Sequence, residues 1–185
     1  MKIYLASSWR NEMQGTLVEL LRFNGHEVYD FKNPRSGGPV RAETPEDGFS
    51  WKACDPDWRS SPGPAAAYRK MLAHPIAARG FLADFDAMRW ADTCVLALPC
   101  GRSAHLEAGW MVGAGKRLVV FLPPDTDFEP ELMYLIGGPA DRVLALSVKE
   151  LIDALARGRP GHSMSSRACP GCGDLDGCHY AHEAR

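Results

Sequence analysis

Two short stretches hold the residue types that contact sugars and phosphates: Ser7-Ser8-Trp9-Arg10-Asn11 and Cys100-Gly101-Arg102-Ser103-Ala104-His105. Glu107 stands two residues past the second. Hydroxyl and guanidinium donors suit anionic oxygens. A helix beginning just after such a turn adds free N–H groups and a favourable dipole. With Ser103 as its N-cap, Glu107 falls in the first helical turn, where the dipole stabilises a carboxylate by roughly 0.3–1 kcal/mol. Acidic residues also occupy first turns for no chemical reason, so stabilisation and catalysis are both open for Glu107.

A third cluster lies near the C-terminus. Cys169-x2-Cys172-x5-Cys178-x3-His182, with His179 as a rival fourth ligand, offers sulfur and nitrogen ligands at spacings that suit tetrahedral zinc. A free tail and oxidised cysteines are the alternatives. Four protein ligands leave no open position, so a zinc there is structural or partner-binding, and no cofactor is expected for catalysis. His105-Leu106-Glu107 matches the first half of the zinc deaminase signature. The C-x-x-C at Cys169 follows Ala168, where that signature has Pro, which leaves a zinc nucleoside deaminase as a remote alternative. Gly109 to Lys116 misses the P-loop: its spacing is one too long, and Arg117 replaces the Mg²⁺-binding Ser or Thr.

Alternating strands and helices must position these groups. Lys2–Ala6 is an apolar run. From Glu12, positions Met13, Thr16, Leu17, Leu20 and Leu21 share a helical face that stops at Asn24-Gly25. His26–Phe31 reads as a second strand. Ala65–Ala73 is helical, broken at His74-Pro75 because the residue before Pro avoids the α region. A helix over 76–91 follows, with Leu82, Phe85 and Met88 on one side. Thr93–Leu98 and Arg117–Leu122 are continuous apolar strands of the kind buried on both faces, with a helix over 104–113 between them. Arg142–Leu146 reads as a fifth strand and Val148–Arg157 as a closing amphipathic helix. The pattern predicts a three-layer α/β fold, flavodoxin-like or Rossmann-like, on a five-stranded, mainly parallel sheet. Such sheets bind ligands beyond the carboxyl ends of their strands, where strand order reverses. Both hydroxyl-rich turns belong there.

Residues 33–64 depart from this pattern, with Pro34, Pro39, Pro45, Pro56, Pro62 and Pro64 around Trp51 and Trp58. A long Pro/Gly segment inside a domain reads as a functional loop or lid. Its tryptophans serve either to pin it to the core or to meet a ligand.

The chain has 185 residues, 45% of them hydrophobic, with a net charge of −2. That length suits about one domain, divided by composition into a core over 1–157 and a Cys/His tail over 158–185. The composition excludes a disordered chain, and the lack of a basic excess makes nucleic acid an unexpected partner. Ser7, Ser8 and Trp9 cut the first apolar run too short for a signal peptide, and no stretch approaches the ~18 apolar residues of a membrane span. The expectation is a soluble cytoplasmic protein, with Cys94 and Cys100 as core thiols.

Ile3-Tyr4-Leu5-Ala6, Ser8-Trp9-Arg10, Asp84 eight residues before Asp92, and a buried strand leading to Glu107-Ala108-Gly109-Trp110 and Gly115-Lys116 occur here in that order. Together they resemble the nucleoside 2-deoxyribosyltransferase superfamily, which includes the 2′-deoxynucleoside 5′-monophosphate N-glycosidases. The resemblance covers about residues 2–150, without the Pro/Gly loop. It implies a flavodoxin-like fold and cleavage of the bond between deoxyribose C1′ and a base through a covalent glycosyl-enzyme. It implies that Glu107 is the nucleophile, Asp84 the acid that assists the leaving base, and Tyr4 the residue that orients Glu107. It also implies a small-molecule nucleoside or nucleotide substrate and assembly as a homo-oligomer. The transferases carry an Asp six residues before the nucleophile. Gly101 stands there in this chain, which favours the glycosidase pattern and leaves a catalytically silent nucleotide-binding module as the alternative. In the glycosidase pattern Ser7, Ser8, Trp9, Gly101, Ser103 and His105 line the substrate, and Arg10 and Arg102 meet its phosphate.

Overall fold

Side-chain alternation decides which layer each strand residue serves. In β1 (Lys2–Ala6), Ile3 and Leu5 face one side of the sheet while Tyr4 and Ala6 face the other. The same alternation runs through β3 (Thr93–Ala97) and β4 (Arg117–Phe121): Val95, Ala97, Val119 and Phe121 join Ile3, and Cys94, Leu96, Leu118 and Val120 join Tyr4. Both faces are apolar because both are covered, as a parallel sheet requires. The computed structural model describes residues 1–57 and 64–157.

The helices sort by the same rule. α1 (Gln14–Phe23) and α6 (Val148–Ala156) cover the Ile3 side with Leu17, Val18, Leu21, Leu151, Ala154 and Leu155. α3 (Pro75–Trp90) and α4 (Arg102–Gly113) cover the Tyr4 side with Ala87, Met88, Ala104, Ala108 and Met111. α2 (Pro64–Leu72) leads into α3, which His74 caps by accepting from the Ile76 N–H through its ring nitrogen. Gly25, at φ +81°, ends α1 as its position predicts.

All strand pairs are parallel, in the order β2-β1-β3-β4-β5, with β2 at Glu27–Tyr29 and β5 at Leu144–Ala145. This is the flavodoxin-like order, and its reversal point lies between β1 and β3. The expected fold class holds. The fifth strand is shorter than expected, because Ala140–Val143 winds into a helical turn, α5, before pairing begins.

One local expectation fails. Gly101, in extended conformation, is the N-cap of α4, and the helix starts at Arg102. Ser103 is therefore inside the first turn, and Glu107 moves to the second, out of strong reach of the dipole. The proposed ligands Cys169, Cys172, Cys178 and His182, the rival His179, and Trp58 lie outside the described residues. Among the described residues no His/Cys/Asp/Glu group is placed to hold a metal. Cys54, Cys94 and Cys100 are free thiols, Cys94 fully buried and Cys100 partly so. No described helix is long and apolar enough to cross a membrane.

Candidate active site

The reversal point is held together by Asn11. This buried side chain donates to the Ala97 and Leu98 carbonyls, each at 3.2 Å, and to Ser7 Oγ at 3.0 Å; Ser7 in turn donates to the Ala97 carbonyl. The turn after β1 is thereby fastened to the end of β3, and a cleft opens beside it.

Two carboxyl groups and Tyr4 line that cleft, with Tyr29 packed behind them. Glu107 shares a stripe with Ala104, Ala108 and Met111, the buried positions of α4, so helical spacing aims it at the sheet. Asp84 shares the corresponding stripe of α3 with Ala77, Gly80, Ala87 and Met88. Tyr4 of β1 stacks on Tyr29 of β2, with ring centroids 5.6 Å apart and planes 13° from parallel. The Tyr29 hydroxyl donates to Asp84 Oδ1 at 2.9 Å, and Tyr4 stands beside the Glu107 carboxyl, where it favours the ionised form. Each acid therefore has its own tyrosine, a direct donor in the case of Asp84, and the two rings brace one another.

Burial dominates the electrostatics here. It raises Glu107 to about 7; the negative charge of Asp84 pushes the same way, and Tyr4 opposes both. Burial likewise raises Asp84 to about 6, against the bond from Tyr29. Both carboxyls remain partly open to the cleft, so a substrate reaches them. Near neutral pH the pair retains about one proton, and the titration steps belong to the pair jointly. Burial and the Asp84 charge hold Tyr29 far above the ordinary phenol range, so it stays a donor. Burial pushes the Cys100 thiol up to about 11, which keeps it un-ionised near the site.

The cleft encloses about 400 Å³, a volume suited to a small organic ligand. Of the sequence-derived candidates, Tyr4, Ser7, Trp9, Asp84, Ser103 and Glu107 line it. Ser8, Arg10, Gly101, Arg102 and His105 are not among its lining residues. Ser8 Oγ accepts from the Arg10 backbone N–H, which shapes the turn. His105 turns to Tyr134, whose hydroxyl lies 2.9 Å from its Nε2, with Nδ1 near the Gly101 carbonyl.

The remaining wall comes from the Pro/Gly segment: Phe49, Ser50, Trp51 and Lys52, with Phe31. Of the loop tryptophans, Trp51 packs edge-on against Phe49 and Tyr68 and also lines the cleft. Phe49 fills the notch left by Gly80, where an added Cβ would lie 2.8 Å from its ring. Gly48 lets the segment close over Trp9 and the Phe31 carbonyl, which a Cβ would meet at 2.7 and 2.3 Å. Among the lining residues Lys52 is the cation, a position with no motif to announce it.

No protein-family model matches the chain, and no curated protein matches it. Among solved structures, the chain is similar to a 2-deoxyribosyltransferase from the psychrotolerant bacterium Bacillus psychrosaccharolyticus. The identity is 24%, with 72% of this chain and 79% of the other covered, at a TM-score of 0.41.

Proposed function

We propose that the protein cleaves the N-glycosidic bond of a 2′-deoxynucleoside or its 5′-monophosphate. The observation that carries this reading is the floor of the cleft: two carboxyls raised toward neutrality by burial, Asp84 bonded to the buried Tyr29 and Glu107 beside the buried Tyr4. Such a pair with one shared proton supplies both a nucleophile and an acid, the two roles that glycosidic displacement needs. In this reading ionised Glu107 attacks C1′ as the bond to the base breaks. The electron pair of that bond leaves with the base, which takes its proton from Asp84. The resulting Glu107 ester is released by water, giving a hydrolase, or by a second base, giving a transferase. Tyr4 holds the attacking carboxylate in place, and Trp51, Phe49 and Phe31 provide aromatic walls for the base.

The test is incubation with a panel of deoxynucleosides and their 5′-monophosphates, with and without an acceptor base, measuring free base and exchanged nucleoside. Mass spectrometry then looks for the deoxyribosyl adduct on Glu107. No base release from any member would end this reading. Lys52 belongs on the phosphate side of the substrate. Lys52→Gln should lower kcat/KM for the monophosphate by about tenfold or more, the worth of one charge-assisted bond, and leave the nucleoside nearly unchanged. Equal losses on both would place Lys52 away from the phosphate.

The reading extends to a second copy of the chain. Phe81, Phe85 and Trp110 form a continuous ring ladder across α3 and α4, with centroids 5.4 and 5.0 Å apart. Phe81 at 60% exposure and Leu106 at 76% leave that face open, and a contiguous apolar surface of this kind marks an association site. Light scattering should report an oligomer that Leu106→Glu converts to a monomer. A monomeric parent would refute it.

A further inference from the structure

At the amino ends of the strands, opposite the cleft, a second cavity of about 440 Å³ is lined by Arg117, Arg142, Arg157, Leu118 and the Gly137-Gly138-Pro139 backbone. Three arginines line it from three separate elements: the first residue of β4, α5, and the end of α6. Neither ion pair found among the described residues includes any of them; those pairs are Arg41–Asp86 and Lys149–Asp153.

Arg117 is only partly satisfied. Its Nη2 donates to the Ala154 carbonyl, while its Nη1 is buried without a hydrogen-bond partner. Leaving a buried donor unpaired costs about 1–3 kcal/mol, and more when it is charged. Burial and the positive charge of Arg157 both disfavour its charged form. Asp92 is the acid that opposes them, and its two oxygens already accept from the Lys2 N–H and the Thr93 hydroxyl. Three arginines around one cavity, with Asp92 as the acid that offsets them at Arg117, leave its wall net positive. An anion between them would offset that charge.

We propose that this cavity binds a phosphate group through Arg117, Arg142 and Arg157. Guanidinium forks match tetrahedral oxyanions in geometry as well as charge, which selects phosphate over a lone halide. Gly138, at φ +126°, is part of the cavity's rim. The site lies at the other end of the sheet from Asp84 and Glu107, so it stands or falls independently of the reading given above.

The test uses the full chain at constant ionic strength, titrated with inorganic phosphate and with pyrophosphate, followed by calorimetry and by amide chemical shifts. Saturable binding is expected, with shifts at Gly137 and Gly138. Arg142→Gln and Arg157→Gln, both exposed substitutions, should each weaken binding by about tenfold, in line with one lost charge-assisted contact. The double variant should abolish it with an unchanged amide spectrum elsewhere. Stronger binding of pyrophosphate than phosphate would identify a polyphosphate source; equal binding would identify the single phosphate group. Absence of saturable binding overturns the proposal. So does binding that survives the double variant, or that is lost in Lys52→Gln instead, which would assign the anion to the cleft.

Discussion

Glu107→Gln should abolish base release and at the same time make the protein harder to unfold at pH 8. The amide keeps the shape of the side chain and its place beside Tyr4, but it cannot form the ester with C1′. Loss of a covalent nucleophile is expected to lower kcat by about a thousandfold or more. The stability effect has the opposite sign because burial raises this carboxyl from its ordinary 4.5 to about 7. Between those two values the unfolded chain has released the proton and the folded chain still holds it, so stability falls as pH rises through that window. Above pH 7 the folded protein carries a poorly solvated charge. At the exchange of 1.36 kcal/mol per pKa unit, its removal should recover about 1–3 kcal/mol at pH 8 and almost nothing at pH 4. On a domain of this size, that is a rise in Tm of several degrees. Thermal melts of parent and variant at the two pH values, beside a base-release assay, measure both halves. Retained turnover would remove Glu107 from the nucleophile's role, and equal melting at pH 8 would mean that its carboxylate is well solvated.

The same burial explains why some of this site was legible in the sequence and some was not. The strands around it declare themselves, because a parallel sheet covered on both faces needs unbroken runs such as Thr93–Leu98. Glu107 and Asp84 each sit on the apolar stripe of a helix, at positions where a carboxylate has no structural reason to be. Reading Glu107 as a first-turn residue concealed that signal, since it rested on a Ser103 cap that the extended backbone of Gly101 pre-empts. Tyr29 carried no such mark: a Tyr in a strand is ordinary, and its role depends on pairing β2 beside β1 so that it stacks on Tyr4. Lys52 was out of reach for a different reason, and Trp51 was legible only as a loop tryptophan with two open roles. They arrive through a segment with little regular structure, whose path is set by tertiary fits, Phe49 into the Gly80 notch and Gly48 against Trp9. The arginines Arg10 and Arg102 look like a phosphate pair by type and turn, yet both are exposed and absent from the cleft's lining. Residue type fixes what a side chain can do, and packing decides where it does it.

The second large effect concerns which acid holds the shared proton. The mechanism needs Glu107 ionised and Asp84 protonated, whereas in the empty cleft Asp84, at about 6, gives up its proton before Glu107, at about 7. The bond from Tyr29 favours that ordering, because it stabilises ionised Asp84. Activity should follow a bell-shaped profile with its maximum near pH 6–7. On the acid side both carboxyls are protonated and the nucleophile is lost; on the alkaline side both are ionised and the acid is lost. Tyr29→Phe keeps the ring stacked on Tyr4 and removes only the donor. Asp84 should then rise by about one unit, the worth of one hydrogen bond to a charged group. The proton of the pair moves from Glu107 toward Asp84, which is the productive arrangement. The alkaline limb of kcat/KM should therefore move up by only about 0.3 unit, because Glu107 already sets that step near 7, while the plateau rises as the productive form fills. Were Asp84 the nucleophile and Glu107 the acid, the same substitution would empty the productive form, and the plateau would fall. The pH profile of one conservative variant thus reads out the assignment of roles, which the resting geometry alone leaves inverted.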